Sequence, residues 1–119
     1  MRDTFVDVVA LCFAVMGIVA ILRPERVTGL WGVTGLTAAA RNEVRAVYGG
    51  FGVSVAITLM AALSMPLLRA GICTAIGAAL FGMAGGRVCS AVMDRTIGSF
   101  ARAFFAIELV AGAALFWAR

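Results

Sequence analysis

Whatever chemistry this sequence can do rests on three small groups of polar residues set among apolar ones. The first is Asn42-Glu43-Val44-Arg45-Ala46-Val47-Tyr48-Gly49-Gly50, the second is Arg87, Ser90 and Asp94, and the third is a lone acid, Glu108. A guanidinium holds carboxylates, phosphates or carbonyls through its N–H donors, and a carboxyl can pair with it or move a proton. There is no histidine and no lysine, which removes the usual Ser–His and Cys–His nucleophile–base pairs. Cys12, Cys73 and Cys89 all lie inside apolar runs and form no C-x-x-C. The common zinc, haem and dithiol sites are therefore excluded, and each thiol reads as a small hydrophobe. No metal and no cofactor is expected, and no catalytic residue is assigned.

The spacing says how these groups must be held. Arg45, Tyr48, Gly49 and Gly52 follow i, i+3, i+4, i+7 and share one helix face, as do Arg87, Ser90 and Asp94 on a later helix. At about 1.5 Å per residue, Arg87 lies roughly 10 Å inside its helix end and Glu108 roughly 15 Å inside its own. An extended arginine covers the offset of about 5 Å. The spacing predicts an Arg87–Glu108 pair at depth and an Arg45–Asp94 pair nearer the mouth, with Tyr48 between the two levels.

The composition then fixes the setting. Of 119 residues 63% are hydrophobic and 13% charged, with a mean hydropathy of +1.05, whereas soluble domains run nearer half apolar and a quarter charged. A span takes about 20 apolar residues, so the chain holds four. The expected fold is an all-α, integral membrane four-helix bundle, a single domain over 1–119, with spans at about 5–22, 44–63, 68–93 and 98–118. Asp3 and Asp7 spoil a signal-peptide start, and the first span is read as retained. Ala10, Ala14 and Gly17 give it a small-residue face for close packing.

Pro24 opens a short helical stretch in which Val27, Leu30 and Trp31 recur at helical spacing, broken by Gly29, Gly32 and Gly35. It is either an interfacial half-helix anchored by Trp31 or a re-entrant segment. Asn42 is the expected N-cap of the second span, with Glu43 in its first turn, and Ser64-Met65-Pro66 reverses the chain. Gly82-Met83-Ala84-Gly85-Gly86 in the third span is a GxxxG pattern, read as a packing face inside the bundle.

A net charge of +4, wholly from arginine, would suggest nucleic acid in a soluble chain. Here the arginines sit at the ends of apolar runs, so nucleic acid is not an expected partner and anionic lipid is. Arg2, Arg69 and Arg119 mark the terminal side. Arg23, Arg26, Arg41, Arg45, Arg87, Arg95 and Arg102 mark the other. The excess places the loops in the cytoplasm and both termini outside. A basic set made only of arginine also goes with GC-rich bacterial genomes.

Charges inside a membrane cost at least about 2.5–3.5 kcal/mol each, so the polar set needs a reason. One is a clamp in which the charges neutralise one another and fix helix register. Another is a pocket of Asn42, Arg45, Tyr48, Arg87, Ser90, Asp94 and Glu108 that binds a lipophilic small molecule or lipid with a polar head. A third is an accessory role, with the glycine-rich helices packed into a larger membrane complex or homo-oligomer. The last is an enzyme on a membrane-dissolved substrate, with Glu108 as acid/base and Arg87 as orienting cation; whether the chain is an enzyme stays open.

The order N-x-x-R-x-x-Y-G-G, then G-R-x-x-S-x-x-x-D, then a mid-span glutamate resembles an uncharacterised bacterial membrane family, domain of unknown function four-three-four-five. The matching positions are Asn42, Arg45, Tyr48, Gly49 and Gly50, then Gly86, Arg87, Ser90 and Asp94, then Glu108. The resemblance covers nearly the whole chain and implies a four-helix membrane fold with a recurring polar set, but no reaction. It also implies glycine after the aspartate, where this chain has Arg95. The chain is more loosely similar to DoxX-like and sigma-two-receptor-like membrane proteins, some of which enclose lipophilic ligands. That similarity is one of fold and does not fix function.

Overall fold

The computed structural model describes Met1–Arg119 and contains helices, turns and no strand. Six α-helices follow in order: α1 Arg2–Leu22, α2 Pro24–Gly29, α3 Ala38–Val44, α4 Phe51–Leu63, α5 Pro66–Asp94 and α6 Ser99–Ala118. A π-helical turn, Arg45–Gly50, joins α3 to α4, so Ala38–Leu63 is one helical run of 26 residues. That run, α1, α5 and α6 are each long and apolar enough to cross a membrane.

The ends of these helices are set by local chemistry. Proline occupies the first turn of α2 and of α5, where its missing N–H is not needed. The second span starts six residues before the expected Val44. Thr37 is its cap, with the Thr37 hydroxyl accepting from the Ala40 N–H at 3.1 Å. Three alanines follow Thr37, and their high helix propensity carries the helix past Asn42, which lies exposed inside it and caps nothing. At the far end of α5, Arg95 adopts the left-handed conformation, φ 52° and ψ 29°. This is the position where a helix usually ends on glycine.

The chain forms two compact units. One comprises Asp7–Ala61. Within it α1 meets α4 and the π turn through glycines. A Cβ on Gly17 would lie 2.8 Å from the Val53 nitrogen and 2.9 Å from the Gly49 oxygen, and one on Gly52 would lie 3.2 Å from the Phe13 oxygen. Only glycine permits backbones this close. Ala20, Val27 and Val44 form a buried core against which Val19, Leu36 and Tyr48 pack. The short α2 is therefore tied to this unit by Val27. With six residues it cannot span a membrane.

The other unit comprises Met1–Val6 and Ala62–Arg119, and its body is the hairpin of α5 and α6. The buried residues of α5 are Cys73, Gly77, Leu80 and Ala84; those of α6 are Glu108, Gly112, Leu115 and Ala118. Their spacing of three and four residues makes one stripe on each helix. Gly77 and Gly112 face each other, since a Cβ on either would lie 3.2 Å from the other's carbonyl oxygen. The close approach in this hairpin thus uses single glycines. Around Gly82, Gly85 and Gly86 an added Cβ would meet nothing within 4 Å, so the GxxxG pattern is not the packing face it was expected to be. At the end of the hairpin that carries the termini, Arg69 donates to the Ala118 carbonyl at 3.0 Å and to Asp3 at 2.6 Å. The Phe5 and Trp117 rings meet edge-on there, 5.5 Å between centroids.

Candidate functional site

In the α5–α6 hairpin, Arg87 extends the buried stripe of α5 by one more turn beyond Ala84 and reaches Glu108 on the stripe of α6. The Arg87 Nε donates to both Glu108 oxygens, at 3.0 and 2.8 Å, and Nη2 donates to Oε1 at 2.7 Å. Glu108 is only 2% exposed, and the Arg87 side chain is 26% exposed. The arginine also lies over the Phe104 ring, 5.4 Å from guanidinium carbon to ring centroid. Phe104 in turn packs on Phe100 at 4.5 Å. A guanidinium fixed by a carboxylate and an aromatic face has little freedom left. The Arg87–Glu108 pair expected from the sequence is thus formed.

On its outer side Arg87 lines an open groove of about 320 Å³. Met83, Gly86, Ser90 and Ala91 contribute from α5; Thr96 and Ile97 come from the turn, and Ala101 from α6. The walls are apolar except at Arg87, Ser90 and Thr96. The Ser90 hydroxyl donates to the Asp94 Oδ2 at 3.1 Å, one turn along the same helix. Arg87 and Ser90 thus both front the groove, each with its own carboxylate partner, Glu108 behind Arg87 and Asp94 one turn along from Ser90.

Asn42, Arg45 and Tyr48 lie in the other unit, each with local partners or none. Arg45 donates from Nε to the Ile21 carbonyl at 3.0 Å, a partner the sequence reading did not give it. Ile21 is in the last turn of α1, whose carbonyls lack helical partners and carry the negative end of the helix dipole. Arg45 thus caps α1. Tyr48 packs on Trp31 with centroids 5.3 Å apart, and the face it shares with Gly49 and Gly52 is occupied by α1. Asn42 makes no side-chain hydrogen bond and is exposed. Arg41 donates to the Leu36 carbonyl at 2.7 Å and approaches Glu25 at 3.8 Å, an exposed pair of small energetic weight.

Thr96, Ile97, Met83, Ala91 and Ala101 were not singled out by sequence reasoning. Only Thr96 carried a signal, as a polar side chain in the turn beside Asp94. Histidine, cysteine and carboxylate side chains form no group of three that could hold a metal ion.

The arrangement defines an all-helical chain with four membrane-length helices and a buried ion pair behind an open groove. Residues 2–119 match the domain of unknown function DUF4345, and the chain belongs to that family. No curated protein and no solved structure matches it, and similarity to DoxX-like proteins is not among the findings.

Proposed function

We propose that this protein binds a lipophilic small molecule or lipid by its polar head, in the groove beside Arg87. It does so as a multi-pass protein of the bacterial inner membrane with both termini on the non-cytoplasmic side. The observation that carries the reading is the side chain of Arg87. It is fixed from behind by Glu108 and exposed in front to an apolar-walled groove of about 320 Å³. A clamp alone requires the pair but not the groove, and a groove with one polar end suits an amphiphile. The orientation rests on the arginine excess at the loops.

Native mass spectrometry of gently solubilised protein tests this, with wild type beside Gly86→Leu. Gly86 lines the groove and a Cβ there meets nothing within 4 Å, so leucine fills the groove without disturbing the helices. Wild type should carry a discrete extra mass that the variant lacks. Bare protein in both would refute the proposal.

A second reading has its own observation: Gly82 and Gly85 form an exposed small-residue face on α5, where an added Cβ would meet nothing within 4 Å. An accessory subunit would use it against another membrane helix. Such a protein co-purifies stoichiometrically with a partner and loses it in Gly82→Leu, whereas a ligand-binding protein keeps its bound mass in that variant.

A further inference from the structure

The electrostatics of the groove narrow the ligand further, on the premise that the groove is a binding site. Arg87 is the one charged side chain in its wall, and its charge is already cancelled by Glu108 through three hydrogen bonds. A phosphate or carboxylate head would have to compete for a guanidinium committed to another carboxylate. It would also add a net negative charge at a depth of roughly 10 Å from the helix end, where uncompensated charge is strongly disfavoured.

The remaining polar groups point the same way. Ser90 gives its hydroxyl hydrogen to Asp94, which leaves the Ser90 oxygen with lone pairs and no proton to offer. Asp94 adds a second negative charge one turn away. Thr96 supplies a hydroxyl that can donate or accept. A site built from a guanidinium already neutralised by its carboxylate, an acceptor and a two-way hydroxyl suits a neutral head that both donates and accepts. An ionised head brings in addition a charge that nothing in the wall is left to balance. From this we infer that the groove selects a neutral amphiphile with an alcohol head and rejects its anionic counterpart.

Two probes that differ only in the head decide the matter: dioleoylglycerol, with a free hydroxyl, and dioleoyl phosphatidic acid, with a phosphate in its place. The full-length protein in detergent is titrated with each and occupancy is read by native mass spectrometry. Wild type should take the alcohol at least about tenfold more tightly than the phosphate, and Gly86→Leu should lose both. Glu108→Gln keeps the size of the side chain while uncovering the charge of Arg87, so the preference should shrink or reverse. Should that variant not fold, Asp94→Asn, at an exposed position, removes the second negative charge and should also narrow the ratio. Equal or tighter binding of the phosphate by wild type, still abolished by Gly86→Leu, would overturn the inference and leave the groove as a binding site. Saturable binding of neither lipid, with no co-purified mass, would bring down both.

Discussion

At the scale of the residue, Glu108 decides most. A carboxylate 2% exposed is tolerable only because Arg87 meets it, and removing one partner of a buried pair costs far more than the pair contributes. Arg87→Ala should therefore lower stability by about 3–5 kcal/mol, measured by denaturant unfolding in detergent. The double replacement Arg87→Met with Glu108→Leu should recover most of that loss. Arg95 offers the opposite case. Its left-handed backbone carries a penalty that glycine does not, so Arg95→Gly should raise stability by about 1 kcal/mol. An unchanged unfolding midpoint would show that the turn relaxes elsewhere. The sequence announced both residues, though unequally. Distance along a helix axis was enough to pair Arg87 with Glu108, because depth is set by residue count alone. Rotation about the axis is not set that way, and so the backbone carbonyl of α1 that Arg45 meets was not foreseen. Ser90 was legible as a neighbour of Asp94, whereas the apolar lining of the groove carries no mark that separates it from any other membrane-facing residue.

At the scale of the element, the glycines divide into those that hold helices together and those that do not. Gly17→Ala drives a methyl to 2.8 Å from a backbone nitrogen, an atom that cannot move without its helix. It should cost about 1–3 kcal/mol, as overpacking does. Gly82→Ala meets open space and should be neutral or gain up to about 1 kcal/mol from helix propensity. The same unfolding assay separates them, and equal effects would contradict the packing described here. The motif that sequence reading favours was the wrong one in this chain. A GxxxG repeat is conspicuous because both glycines lie on one helix. Gly77 and Gly112, which do the work in the hairpin, lie on different helices and signal nothing separately. Cap choice failed for a similar reason: Asn42 is a good capping residue, but Thr37 followed by three alanines starts the helix first.

At the scale of the whole molecule, four membrane-length helices and the distribution of arginines make a prediction about sidedness. In a background with Cys12, Cys73 and Cys89 replaced, a single cysteine at Ser64 should react with a membrane-impermeant thiol reagent added from outside intact cells. One at Gly35 should react only after permeabilisation. The reverse pattern would invert the proposed orientation. That four helices are long and apolar enough to cross a membrane was readable from hydropathy alone, because a bilayer would impose one length on every span. The short α2 was also readable, since Pro24 and Gly29 bound it. Which helices lie against which could not be read, because the apolar faces of all four are alike in composition.

The Arg87–Glu108 pair also has a consequence for how the chain is made. The two residues are 21 positions apart and are joined by a turn of four residues, Arg95 to Gly98. Until Glu108 has emerged from the ribosome, α5 carries an unmatched cation well within its length, and α6 by itself carries an unmatched anion. Integration of α5 should therefore wait for α6, with both entering the bilayer as a hairpin. In a cysteine-free background, a single cysteine at Ala79 in α5 should stay reactive to a water-soluble thiol reagent in chains truncated just before Glu108 and be protected in chains ending after Ala118. Truncated chains carrying Arg87→Leu should be protected at both lengths.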